Sequence, residues 1–270
     1  MARIRALVLS THPGPGAAVT VITVLLAIAG GLEPWRIVLV GLVMALDQAS
    51  VGLSNDWIDA ERDRAVGRTD KPVARGDVSA SLARTVALAT AAASVLVSLP
   101  LGWPAVLAHL LFLGSAWAYN AGLKGTAVSV VPYLVSFGTL PSIVALASAQ
   151  PAFAAVTTTA AGALLGAGAH FANVLPDLDD DAATGVRGLP HRLGRVPSLI
   201  ATWLALLAAA VCLAIGIGLD TVLGLAGLGV SLLITVVGLI AGLRPSPTRW
   251  LFRLVIVAAV VDVIMLVLAA

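Results

Sequence analysis

Charge is scarce in this chain: 11% of its 270 residues are Asp, Glu, Lys or Arg, against about a quarter in an ordinary soluble domain. That scarcity excludes a solvated surface of normal extent. With 59% hydrophobic residues and a mean hydropathy of +1.02, most of the polypeptide belongs in lipid. Cysteine is nearly missing too. Cys212 is the only one and lies in an apolar run, so neither a disulfide nor a cysteine zinc site is available. A formal charge of +2 leaves no basic face of the kind that binds nucleic acid, and no such partner is expected. Lysine is confined to Lys71 and Lys124; this bias toward arginine fits a GC-rich bacterial genome. The aromatic residues are too few and scattered to outline a cation-guiding pocket.

What is abundant is apolar sequence in long pieces. Runs stand at about 15–32, 36–54, 79–99, 103–120, 127–148, 152–176, 198–218, 220–243 and 250–269, each near the ~20 residues that one helical crossing needs. Nine crossings in a single domain, 1–270, follow. Glycine and proline are tolerated in membrane helices, where they mark close packing, breaks and turns. Arg3 and Arg5 precede the first run, but so many apolar segments follow that a retained span is expected rather than a cleaved signal peptide. With the N-terminus in the cytoplasm, fifteen of the sixteen basic residues fall on the inner side and Arg36 alone falls outside. This obeys the positive-inside rule and puts the C-terminus outside, in a bacterial cytoplasmic membrane.

Two polar stretches interrupt the pattern, Asn55 to Val78 and Asp177 to Pro197, both on the cytoplasmic side. The first opens with Asn55, Asp56, Asp59 and Asp63. At ~100° per residue these share one side of a continuing helix, and Glu61 points elsewhere. In the second, Asn173, Asp177 and Asp181 recur every four residues, a second one-sided row at a helix end. Carboxylates this close repel at a membrane edge unless cations or basic partners offset them. Magnesium is the natural cation, because it takes oxygen ligands and commonly joins one or two carboxylates to substrate phosphates. The spacing is not that of an EF-hand calcium loop. One such stretch alone would read as a solvated acidic loop balanced by arginines; two with helical spacing, at span ends on one side, read as a site.

At these residues the chain resembles the UbiA superfamily of intramembrane prenyltransferases, whose first signature is Asn-Asp-x-x-Asp-x-x-x-Asp. Asn55, Asp56, Asp59 and Asp63 match it in full, and Asp177 and Asp181 match the second signature, Asp-x-x-x-Asp. The surroundings Asn173 to Leu178 and Gly185 to Gly194, the segment Lys71-Pro72-Val73-Ala74-Arg75-Gly76, and Tyr119 with Leu123-Lys124 agree as well. Ala182, Gly188 and Val51 depart from the pattern at positions where a basic residue, a Thr and an Asn are frequent. The resemblance implies an all-α membrane protein with nine transmembrane helices around a central cavity open laterally to lipid, capped on the cytoplasmic side by the two long loops.

It also implies a chemistry. Asp56, Asp59, Asp177 and Asp181 would be catalytic, and with Asn55 and Asp63 they would hold two or more Mg2+ ions on an isoprenyl diphosphate. Asn55, Lys71, Tyr119, Lys124, Asn173 and Arg187 would contact the diphosphate, with Arg187 equally readable as a topology charge. Ionisation yields an allylic cation, which an aromatic or other lipophilic acceptor attacks in an apolar chamber among the helices and lipid. Gln48 and His170, each about 20° from its motif on a helical wheel, either line that chamber or hydrogen-bond a neighbouring helix. Asp47 falls at the edge of that face, and Asp262 sits mid-span in the last helix. Two rivals remain: a UbiA-type terpene cyclase, in which an alkene of the same chain attacks the cation, and a secondary transporter, whose coupling carboxylates lie near the bilayer midplane instead.

Overall fold

The computed structural model describes residues 2–243 and 249–269; Arg244, assigned above to the inner side, lies outside them. The described residues form helices and no strand: α1 (Ala2–Leu9), α2 (Pro13–Ala29), α3 (Pro34–Ile58), α4 (Ala60–Ala65), α5 (Pro72–Arg75), α6 (Ala80–Ser98), α7 (Trp103–Ala121), α8 (Val131–Leu146), α9 (Val156–Val174), α10 (Leu178–Ala183), α11 (Leu189–Leu193), α12 (Arg195–Ile217), α13 (Val222–Gly242) and α14 (Arg249–Ala269). Proline stands in the first two positions of α2, α3, α7 and α8, where a missing N–H costs nothing. Glycine ends α12 at Gly218, φ 111, a backbone state that a β-carbon disfavours.

Each of the nine apolar runs holds one long helix among the described residues. By length and apolarity alone, α3, α6 with its following turn, α12 and α13 are each sufficient to cross a membrane. The α1–α2 pair, bent by 58° at its break, makes a fifth. Large apolar side chains face outward along the long helices, among them Val222 of α13 at 85% exposure and Trp103 of α7 at 70%. A protein bathed in water would not expose such continuous apolar surface.

The long helices pack in chain order, and α14 returns to α2, so the bundle closes into a ring. The α8–α9 contact shows how sequence sets the spacing. Pro141 inside α8 has no N–H to offer the carbonyl of Phe137. On α9, Gly162 presents no side chain there: a β-carbon would lie 2.4 Å from that freed oxygen. Small residues thus let two backbones touch where lipid gives no hydrophobic drive to association. The core between α2, α3, α7, α8 and α14 is built from Val40, Val43, Met44, Phe112, Leu140 and Ile143, all nearly inaccessible.

Candidate active site

The first acidic motif straddles a helix end. α3 stops at Ile58, Asp59 stands between, and α4 begins at Ala60, so the continuing helix read from sequence is interrupted by one residue. The helical spacing survives, because the Asp59 N–H donates to the Asn55 carbonyl at 3.0 Å and the Asp63 N–H to the Asp59 carbonyl at 2.8 Å. The second motif is broken more deeply. Pro176 cannot continue α9, so Asn173 ends on α9, Asp177 in the 3-10 turn Leu175–Asp177 and Asp181 on α10.

The two motifs meet. Arg62, on α4, has Nη2 2.8 Å from Asp59 Oδ2 and 4.0 Å from Asp181 Oδ1. Arg68, in the loop after α4, reaches Asp177 Oδ1 at 3.2 Å. Lys71 at the start of α5 lies 2.9 Å from Asp63 Oδ2 and 3.4 Å from Asp56 Oδ1, and donates to Asn55 Oδ1 at 3.0 Å. Lys124 pairs with Asp59 Oδ1. His12, at the α1–α2 bend, places Nε2 2.8 Å from Asp56 Oδ1; its φ of 52° is the one positive value at a described non-glycine residue. His191 on α11 lies 3.6 Å from Asp181 Oδ2.

Asn55 is fixed from both sides. It donates to Asp59 Oδ2 and to Asn120 Oδ1, while Asn120 donates to the Val51 carbonyl at 3.0 Å and to Ser54 Oγ at 2.8 Å. Val51 therefore contributes its backbone oxygen to this network. Tyr119 packs edge-on against Tyr133 and His170, with ring centroids 5.1 and 5.7 Å apart. The Asn173 side chain lies near the Tyr133 hydroxyl. Arg187 stands apart: it is exposed, and its carbonyl accepts from Arg192 Nε.

Charge balance follows this geometry. Burial drives the Lys71 ammonium toward neutrality, but Asp56, Asp63 and Asp59 outweigh it and hold its pKa above the usual lysine value. Burial wins at Lys124, whose pKa falls despite Asp59, with Arg62 adding repulsion. Asp181 is pushed up by burial, with Asp177 adding to that and Arg62 opposing it.

The motif carboxylates are hard oxygen donors, which suits magnesium. One donor has a use still open. Asp56 Oδ2 is buried and lacks a hydrogen-bond partner, an arrangement that a cation would relieve. Among the described residues no three acidic, His or Cys side chains already converge as a ligand set; the protein's own cations stand between them. The residues therefore fit a divalent ion by chemistry and by this orphan oxygen, without forming a finished cage. Sequence reasoning missed His12, Asn120, Arg62, Arg68 and His191. The two arginines lie within the first polar stretch and were counted only as topology charges.

Deeper in the bundle, Asp47 on α3 is wholly buried, with Oδ2 3.0 Å from His109 Nε2 of α7 and Oδ1 accepting from Gln48. His170 bonds Ser129 at 3.1 Å, and Ser129 Oγ accepts from the Leu189 N–H. Asp262 accepts from Ser231 at 2.8 Å across the α13–α14 contact.

A ring of helices with outward apolar side chains and two acidic motifs brought together at one end defines the architecture of a membrane protein with one polar site. The sequence profile of the UbiA prenyltransferase family matches residues 17–267, and the chain belongs to that family. It is 30% identical over 204 residues to digeranylgeranylglyceryl phosphate synthase of Natronomonas pharaonis, covering 74% of this chain and 73% of that protein. It is 26% identical over 190 residues to the bacteriochlorophyll synthase 33 kDa chain of Rhodobacter capsulatus, covering 62% and 60%. Among solved structures, a UbiA homolog from Archaeoglobus fulgidus bound to GPP and Mg2+ superposes with a TM-score of 0.75 at 15% identity, over 98% of this chain and 99% of that one. The apo UbiA homolog from Aeropyrum pernix K1 gives 0.75 at 19% identity, over 92% and 97%. The resemblance read from the motifs is thereby established as membership.

Proposed function

We propose that this protein transfers an isoprenyl group from an allylic diphosphate to an aromatic or other lipophilic acceptor, using Mg2+ held between the two motifs. The observation that carries this reading is the junction of the motifs through Arg62, with Asp56 Oδ2 buried and unpartnered in the first of them. Asn55, Asp56, Asp59, Asp63, Asp177 and Asp181 hold two or more ions. Bound there, magnesium neutralises the diphosphate and makes it a better leaving group. Lys71 and Lys124 release their carboxylates and bind phosphate oxygens, contacts strengthened by charge; Tyr119, Asn173 and Arg187 complete the head-group side. The isoprenyl chain runs into an apolar chamber that excludes water from the cation.

The same reading takes all nine long helices as crossings of one domain, with the N-terminus and the two motif loops cytoplasmic, the C-terminus outside, and the loops capping a cavity open to lipid. It is supported by the inner-side bias of the basic residues. In support of the substrate class, the N. pharaonis relative is named for making a prenylated glyceryl phosphate. The A. fulgidus homolog was solved with GPP and, separately, with DMAPP, each with Mg2+.

The test is a product assay on the full chain in nanodiscs with Mg2+ and C10 to C20 allylic diphosphates, with and without a phenolic acceptor. Prenylated acceptor supports the proposal. Hydrocarbon or terpene alcohol formed without acceptor would replace transfer by cyclisation, and no diphosphate consumption under any condition would return the transporter reading.

A further inference from the structure

Arg62 lies within the first motif, immediately before Asp63. A residue present only to bias topology would extend into water, yet this side chain is 23% exposed. Its Nη2 lies 2.8 Å from Asp59 Oδ2 and 4.0 Å from Asp181 Oδ1. Among the described lysine and arginine side chains within 4.0 Å of the motif carboxylates, Lys71 and Lys124 form ion pairs in the first motif only, and Arg68 pairs with the second and with Asp70, outside both. Arg62 is the cation lying between a carboxylate of one motif and a carboxylate of the other.

A divalent ion shared between the motifs must approach their oxygens to about 2.0–2.1 Å. A guanidinium left against the same oxygens would place a third positive charge beside the dication, in a half-buried site where screening is weak. Arg62 and a shared ion are thus competitors for Asp59 and Asp181. We propose that Arg62 is the resting protein's own counter-ion: it ties the α4 and α10 segments together, is exchanged for a divalent cation when substrate loads, and then pairs with the diphosphate oxygens. Its planar donor fork suits a phosphate as well as a carboxylate. The inference rests on the diphosphate reading above and adds to it a residue that governs cation entry.

The experiment titrates the full chain in nanodiscs with Mn2+ and follows the free-ion electron paramagnetic resonance signal, without substrate and then with GPP. Arg62→Gln removes the competitor but keeps a polar side chain of similar reach, and melting temperature and size-exclusion profile verify its fold. Arg62→Gln should bind Mn2+ at least about fivefold more tightly than wild type without substrate, while its affinity for GPP in saturating Mn2+ falls. A merely structural role would not raise metal affinity. Equal or weaker Mn2+ binding by a folded Arg62→Gln overturns the proposal. If that variant does not fold, Arg62→Lys decides, because its shorter ammonium cannot hold both motifs: tighter Mn2+ binding than wild type supports the exchange, and unchanged or weaker binding overturns it. Failure of wild type to bind Mn2+ even with GPP would instead remove the diphosphate reading, and this inference with it.

Discussion

Gly188 lies against the carbonyl of Lys124 so closely that a β-carbon at 188 would stand 2.4 Å from that oxygen and 2.9 Å from Ser129 Oγ. Its φ of −64° is open to any residue, so space alone requires glycine here. The loop after α10 is thereby seated on the turn that carries Lys124, which in turn reaches Asp59. Gly188→Ala should push these segments apart at a cost of ~1–3 kcal/mol. A lowered melting temperature and a raised KM for the diphosphate check this; an unchanged KM would mean that the seat does not position Lys124.

The two lysines should titrate in opposite senses in the metal-free protein. Lys71 holds its proton more tightly than the usual 10.5, and Lys124 less tightly. The Lys71 ion pairs therefore add stability that is fully present below 10.5 and is lost as pH rises through its higher folded value. Lys124 has the reverse sign: keeping it charged costs stability at neutral pH, and that cost fades as pH rises from its folded pKa toward 10.5. Pulse acetylation across alkaline pH, read by mass spectrometry, should label Lys124 before Lys71. Equal midpoints would contradict the charge balance described for the site.

Asp47 and His109 form a wholly buried pair, and removing either strands the other. His109→Leu should destabilise the protein by about 3–5 kcal/mol. The Asp47→Leu/His109→Leu double variant should lose less than the sum of the two singles. Denaturation of all three in one detergent checks this, and strict additivity would show that the contact is not energetically coupled.

Much of this was legible beforehand, for identifiable reasons. The nine apolar runs locate the long helices because a membrane helix must satisfy its backbone internally over a fixed thickness. Asn55, Asp56, Asp59 and Asp63 were legible because helical spacing outlasts the one-residue break at Asp59. The row from Asn173 to Asp181 was less so, since Pro176 turns the chain and sends Asn173 to Tyr133. Pairings such as Arg62 with Asp181, His12 with Asp56 and Asp47 with His109 join residues far apart in sequence. Only the packing of separate helices makes them neighbours, and no local periodicity encodes that.

Release of inorganic diphosphate from an allylic diphosphate measures most directly whether the two motifs act as one site. In nanodiscs, release by wild type should require Mg2+, and Asp56→Asn and Asp177→Asn should each lower its rate by about 10²–10³, with the double variant little worse than either single. Release that persists in both variants, or that is lost on changing one motif and untouched on changing the other, would contradict the claim.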